Sequence, residues 1–246
     1  MDVVARVDGV VVGSVGRVSV FPVKSTAGHA LPSTLVNRRG LLHDREWAAY
    51  TRDGGIASGK TTRRFRKVDG LLDWHSTVPV AEGQPPQLHS PTGECYRVDD
   101  PAASQALSAA FSQELELRRE TSIRHHDECG VHLLTMSSMR RAEQLIGGRV
   151  DPLRPRANLV LDTAGTGFLE DDWSGAELAV GPEVVLRLAA GMPRCTMLDQ
   201  PQHDVPGGHP LLRALGRTHD VLLGLQAQVL HTGTITLGDR VRLAPR

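Results

Sequence analysis

Hydrophobic residues along this chain come in short bursts more than in helical stripes. Residues 10–12, 18–23 and 47–50 are β-branched or aromatic runs, broken by Gly13, Gly16, Pro22 and the Asp53-Gly54-Gly55 turn. Runs of this kind between turn residues predict strands. Residues 70–98 continue in the same style, with turns at Glu82-Gly83, Pro85-Pro86 and Pro91-Thr92-Gly93. A helix is predicted next: Asp99 or Asp100 caps it, Pro101 occupies its first turn, and Leu107, Ala110, Phe111 and Leu115 share a face. Residues 115–130 read as a polar linker.

The second half opens with an apolar strand at 131–135. Ser137-Ser138 can cap a following helix that buries Met139, Ala142, Leu145 and Ile146 and stops at Gly147-Gly148. Strands are predicted at 159–162, 177–180 and 184–188, a short helix at 210–215 ended by Gly216, and strands again at 222–229, 234–237 and 241–243. Many short strands with few helices predict a mainly β protein of α+β class built from β-barrels, not a doubly wound sheet.

Composition narrows the class. The chain has 246 residues, 40% hydrophobic and 23% charged, with no net charge. That balance is too polar for a membrane protein and too apolar for a disordered one, and no run nears the roughly 18 apolar residues of a spanning helix. The first residues show no secretory signal. Three widely spaced cysteines (Cys95, Cys129, Cys195) do not make a disulfide framework or an iron–sulfur cluster, so a reducing cytoplasm is expected. Only three of the 28 basic residues are lysines. Residues 38–67 hold nine basic side chains against Asp44, Glu46 and Asp53. Arginine forks of this kind suit an anionic ligand. Nucleic acid is a poor fit, since pI is 7.2 and aromatics are 4%.

No dinucleotide fingerprint, P-loop, nucleophile elbow or zincin motif is present. Gly59-Lys60-Thr61 after Gly54-Gly55 imitates a phosphate loop but reads as a hairpin end. Cys195, in Gly191-Met192-Pro193-Arg194-Cys195-Thr196, follows a predicted strand and adjoins a guanidinium. That setting suits a nucleophile or soft-metal ligand, while a lone cysteine is also often a small buried hydrophobe. The run His125-His126-Asp127-Glu128-Cys129 reads as a surface metal site or an unstructured polar linker. Lys24 and Ser25 close a strand where they could present donors to an anion. Arg156 and Asn158, two apart at a strand start, would share a side, and Asn158 offers both donors and acceptors. Residues 168–173 read as a turn capped by its aspartates.

Taken in order, these segments resemble the MOSC family, named for the C-terminal domain of molybdenum cofactor sulfurases. Phe21-Pro22-Val23-Lys24-Ser25, the Gly40-Leu41…Asp44-Arg45 pattern and Thr61-x-Arg63 resemble the family's accessory β-barrel, here residues 1–120. Leu134-Thr135 with Ser138, Arg156-Ala157-Asn158 (where the family has Arg-Pro-Asn), Phe168 to Trp173, Arg194-Cys195 and Gly233 to Val241 resemble the MOSC domain, here residues 121–246. The resemblance implies a molybdopterin-type molybdenum cofactor with Cys195 as thiolate ligand. Lys24, Ser25, Arg45 and Arg63 would hold the pterin phosphate; Thr135, Ser137, Arg156 and Asn158 would bind the pterin and terminal groups. It implies an oxidoreductase acting on N-hydroxylated or related N–O small molecules. With too few cysteines for an iron–sulfur domain, electrons would come from a separate protein. Two alternatives stand beside it: a sulfur-transfer protein bearing a persulfide on Cys195, fed by a sulfur donor, and a non-catalytic cofactor carrier. No nucleic-acid or membrane partner is implied.

Overall fold

The computed structural model describes residues 9–79, 84–208 and 210–245. Its centre is a closed barrel of seven strands. Around the ring run Leu159–Asp162, Val131–Thr135, Leu222–His231, Val184–Pro193, Glu177–Val180, Arg240–Leu243 and Val10–Val20, which pairs back onto Leu159–Asp162. All neighbours are antiparallel except Val131–Thr135 with Leu159–Asp162. Val15, Val18, Leu133, Leu161, Leu186 and Leu225 belong to one buried cluster, as alternating strand faces require. The closing strand is bulged twice, near Gly13 and between Val15 and Arg17. A Cβ on Gly13 would stand 2.3 Å from the Asp162 carbonyl oxygen, so the strands approach this closely only because the side chain is absent.

The strand Val10–Val20 therefore completes a barrel otherwise made by residues beyond 130, across the boundary expected at residue 120. The interlock is reciprocal, because Gly233–Thr236 pairs with Ser33–Asn37. The rest of the N-terminal half holds a four-stranded sheet (Leu115–Arg119, Trp47–Thr51, Ile56–Ser58, Phe65–Lys67) and a three-stranded one (Cys95–Arg97, Gln87–His89, His75–Thr77). The helix Pro101–Phe111, capped by Asp100, packs on them around Trp74, Leu88 and Leu107. Two further helices, Met136–Ile146 and Leu211–Thr218, cover the barrel wall through Leu134, Met139, Leu211 and Leu223. Among the described residues no helix is long and apolar enough to cross a membrane.

Several local expectations change. Residues 115–119 are a strand and not a linker, because Leu115 and Leu117 alternate into the core while Glu116 and Arg118 face out. The cap of the second helix is Thr135, whose Oγ1 accepts from the Ser138 backbone N–H at 3.1 Å; Ser137 and Ser138 lie inside the helix. The last helix runs through Gly216 to Thr218. Residues 169–173 form a 3₁₀ turn that buries Glu170. The turn expected at Glu82-Gly83 lies outside the described residues.

Candidate functional site

Where the barrel meets the N-terminal sheets, a pocket enclosing about 90 Å³ is lined by Lys24, Arg45, Lys60, Arg156, Arg194 and the Cys195 thiol. These residues are as much as 171 positions apart in number (Lys24 to Cys195), and separate local devices aim each one. Lys24 leaves the first barrel strand by pairing its backbone N–H with the Trp47 carbonyl at 2.8 Å. Ser25, Arg45 and Arg156 all take left-handed backbone conformations, with φ of 64°, 53° and 57°. A non-glycine residue pays about 1–2 kcal/mol for that conformation, and such outliers cluster where function over-determines the backbone. Cys195 follows the bulged end of the strand Val184–Pro193 and opens a 3₁₀ turn, its carbonyl accepting from Leu198 N–H at 3.0 Å.

Two phenylalanines gather the cations. The Phe21 ring has the Arg156 guanidinium 4.3 Å from its centroid and that of Arg45 at 4.7 Å. Phe65 carries Lys24 at 4.5 Å and Lys60 at 5.2 Å. Ring quadrupoles attract cations by about 0.5–2 kcal/mol each, most where water is excluded, so the rings fix the charges without neutralising them. Arg45 is neutralised by the fully buried Asp44 at 2.5 Å. Burial alone would raise the Asp44 carboxyl; Arg45 and a hydrogen bond from His126 outweigh it and hold it well below the carboxylate range.

Among the described residues no carboxylate forms a salt bridge with Arg156 or Arg194. Burial, with Arg45 adding repulsion, lowers Arg156 to about 9. Burial also lowers Arg194, with Cys195 beside it acting in the opposite sense. Among the described residues Arg156 Nη1 and Arg194 Nε are buried without a hydrogen-bond partner, although Arg194 Nη2 donates to the Pro155 carbonyl at 2.6 Å. An unmatched buried guanidinium donor costs about 1–3 kcal/mol or more, and both lie on the wall that holds the thiol. Lys24 is pushed down to about 8, mainly by burial, with Asp127 opposing.

The structure brings Lys24, Ser25, Arg45, Arg156, Asn158 and Cys195 to this one pocket. Within it, Ser25 Oγ donates to Ser58 Oγ at 3.1 Å. Asn158 serves the scaffold: its Oδ1 accepts from His132 N–H at 3.0 Å and its Nδ2 donates to the Ser19 carbonyl at 3.3 Å. Asn158 and Arg156 precede the strand Leu159–Asp162; the shared side expected of a strand comes here from the left-handed turn at Arg156. Three expected residues are not brought in. Arg63 is exposed and does not line the pocket. Thr135 caps a helix and donates to Glu170 Oε2 at 2.6 Å, and Ser137 donates to the Gly167 carbonyl at 2.9 Å.

Sequence reasoning named Arg194 beside the thiol and Asp127 in a candidate metal run but assigned neither to the anion site, and it missed Lys60 there and Arg154 behind it. Arg154 is fully buried and donates to the carbonyls of Leu198 (2.9 Å), Gln200 (3.2 Å) and Pro206, clamping the loop after Cys195. The run 125–129 is neither a metal cluster nor unstructured. No group of His, Cys, Asp or Glu able to hold a metal ion occurs among the described residues. His125 Nε2 pairs with Tyr50 OH at 3.0 Å, and burial lowers it to about 4. Cys129 Sγ donates to the Val131 carbonyl at 2.9 Å and its thiol is pushed up by burial, which leaves Cys195 as the pocket's available thiol.

The chain matches the MOSC domain over residues 120–242 and the MOSC N-terminal beta barrel domain over residues 12–140. Among solved structures it is similar in fold to the YuaD protein from Bacillus subtilis, at 13% identity and a TM-score of 0.52, covering 95% of this chain and 97% of that one. It also aligns with YiiM from Geobacillus stearothermophilus, at 20% identity and a TM-score of 0.38, over 48% of this chain and 55% of that one. No curated protein matches the chain.

Proposed function

The chain belongs to the MOSC domain family, which is associated with molybdenum-cofactor binding, and from that premise we propose that it is a molybdenum-cofactor oxidoreductase reducing N-hydroxylated or related N–O compounds. The observation that carries the reading is the pair of buried, unpartnered guanidinium donors, Arg156 Nη1 and Arg194 Nε, on the wall that holds Cys195. The donor set fits such a group: a soft thiolate suits molybdenum, and fixed arginines suit a dianionic phosphate. Cys195 would be the protein ligand, and Lys24, Arg45, Arg156 and Arg194 would hold the anionic end.

When bound, the cofactor supplies oxygen-atom transfer coupled to two-electron redox chemistry. The chain's own part is binding, orientation and proton supply. Converting R–NHOH to R–NH₂ and water consumes two electrons and two protons; the electrons would come from a separate redox protein. Lys24, lowered by burial to about 8, can hold and release a proton near neutral pH at Nζ. Asp44 and Phe21 fix the Arg45 guanidinium, and the Arg154 clamp fixes the loop that carries the thiol.

The test is co-expression with a complete cofactor pathway, followed by metal and pterin analysis of wild type and Cys195→Ser and by turnover of an N-hydroxylated amidine with an added reductase. Cofactor in the wild type that is lost or inert in the variant supports the assignment. A cofactor-loaded, fully active Cys195→Ser protein would remove Cys195 from the centre.

One observation favours a second reading. The pocket encloses about 90 Å³, well below the roughly 300–1,000 Å³ of most organic-ligand sites. In this form it accommodates a persulfide sulfur on Cys195 more readily than a pterin. A cyanide-labile sulfur on Cys195 in metal-free protein would support sulfur transfer.

A further inference from the structure

The small volume of the pocket has an identifiable cause. Residues 126–129 line it as part of a strap, residues 121–130, fastened by His125 N–H to Glu120 Oε2 (2.8 Å), His125 Nδ1 to the Arg45 carbonyl (3.1 Å) and His126 Nε2 to Asp44 Oδ2 (3.3 Å). From the strap Asp127 turns its carboxylate onto the pocket's two lysines: Oδ1 accepts from Lys24 Nζ and Oδ2 from Lys60 Nζ at 2.8 Å. Among the described residues Asp127 is the only carboxylate paired with either lysine. Lys24 is buried, at 5% exposure, while Asp127 stands at the rim at 32%. Burial would raise Asp127, but Lys24 and Lys60 outweigh it and keep it ionised.

The same strap is a wall between two spaces. Residues 126–129 line the 90 Å³ pocket on one side. On the other they line a basin of about 510 Å³, whose rim carries Arg38, Arg64 and Arg124. Arg64 donates to strap carbonyls, those of Arg124 and His126, and among the described residues its charge has no carboxylate partner. Displacing residues 126–129 would join the two spaces into one of the size an organic phosphate ligand needs.

We propose that Asp127 is a built-in competitor for the anion seat of the pocket, and that a phosphate-bearing ligand enters by exchanging its phosphate for the Asp127 carboxylate on Lys24 and Lys60 while the strap moves aside. This deepens the cofactor reading and rests on it. The exchange has a consequence for selectivity. A tethered carboxylate competes at an effective concentration on the order of millimolar, so a simple external carboxylate cannot displace it at ordinary concentrations. A dianion is expected to, because it carries further oxygens and charge for Arg156 and Arg194, which line the same pocket with donors unmatched among the described residues. Once bound, it leaves the lysines no less neutralised than Asp127 did.

The experiment uses cofactor-free full-length protein and inorganic phosphate as the probe, with affinity measured calorimetrically for wild type, Asp127→Asn and Asp127→Glu. Asp127→Asn is expected to bind phosphate at least about tenfold tighter than wild type, and to bind acetate detectably; Asp127→Glu should resemble wild type. In the wild-type protein, saturating phosphate should speed hydrogen exchange of a peptide covering residues 121–130, a readout that stands even where Asp127→Asn folds poorly. Equal phosphate affinity in wild type and a native-melting Asp127→Asn would overturn the competitor while sparing the anion pocket. So would unchanged or slower strap exchange in phosphate-saturated wild type. Absence of phosphate binding in all three proteins would overturn the pocket reading and the competitor together.

Discussion

Arg154 offers the sharpest test of how the thiol is positioned. It is fully buried and makes no salt bridge among the described residues, and its guanidinium is lowered by burial, with Asp199 and Asp151 opposing at longer range. Its donors serve the carbonyls of Leu198, Gln200 and Pro206. Arg154→Met keeps the length of the stem and removes these donors. Three carbonyls left unmatched cost about 1–3 kcal/mol each. Relief from burying an isolated charge returns several kcal/mol. The net expectation is a destabilisation of about 2–4 kcal/mol. For a chain of this size that is a drop in Tm of roughly 5–15 °C. Freed of its clamp, the loop from Thr196 to Pro206 should loosen, and Cys195 should react several-fold faster with a disulfide reagent. Arg154→Lys, which can satisfy only part of the set, should fall between. The assays are calorimetry and thiol kinetics, using a Cys95→Ser/Cys129→Ser background to isolate Cys195. A Tm within 1 °C of wild type, with unchanged Cys195 reactivity, would refute the clamp.

Further outcomes follow from the same structure. Arg156→Gly relieves a left-handed non-glycine backbone and a buried, unmatched guanidinium but loses the Phe21 contact; stability should stay within about 1 kcal/mol of wild type while phosphate binding weakens, a split visible by paired melting and calorimetry. His125 is lowered to about 4 against an ordinary value of 6.5. The folded protein therefore binds fewer protons than the unfolded one between those values, and stability should fall as pH drops from 6.5 towards 4. His125→Gln should flatten that limb of a denaturation-versus-pH profile, and an unchanged profile would count against His125 as its source. Gly40→Ala should destabilise by about 1–3 kcal/mol, because its Cβ would lie 2.2 Å from the Gly130 carbonyl oxygen, at a φ of +135°. A native Tm in that variant would show that the strap's end yields freely.

Short β-branched runs made most barrel strands legible, since alternation fixes which face is buried without knowledge of the partner. What alternation cannot show is which strands meet, so the closure of the barrel by Val10–Val20 had no signal short of the fold itself. The same limit governs the site. Lys60 and Arg63 sit three residues apart in one basic loop, and only tertiary contacts, with Asp127 and Phe65, bring Lys60 to the pocket while Arg63 stays exposed. Family motifs pointed to Lys24, Arg45, Arg156 and Cys195, which share that pocket. They pointed equally to Thr135 and Ser137, whose hydroxyls are engaged by Glu170 and the Gly167 carbonyl. The left-handed turn at Arg156 carries no glycine or asparagine to announce it. Asp127 looked like linker polarity because its partners lie 67 and 103 residues away.

The measurement that bears most directly on the account is the molybdenum and pterin content of protein purified from a cofactor-competent host, compared between wild type, Cys195→Ser and an Arg156→Ala/Arg194→Ala double variant. Close to one molybdenum and one pterin per wild-type chain are expected, both lost in the arginine variant, with a perturbed metal centre in Cys195→Ser. Wild-type protein carrying neither molybdenum nor pterin from such a host would contradict it.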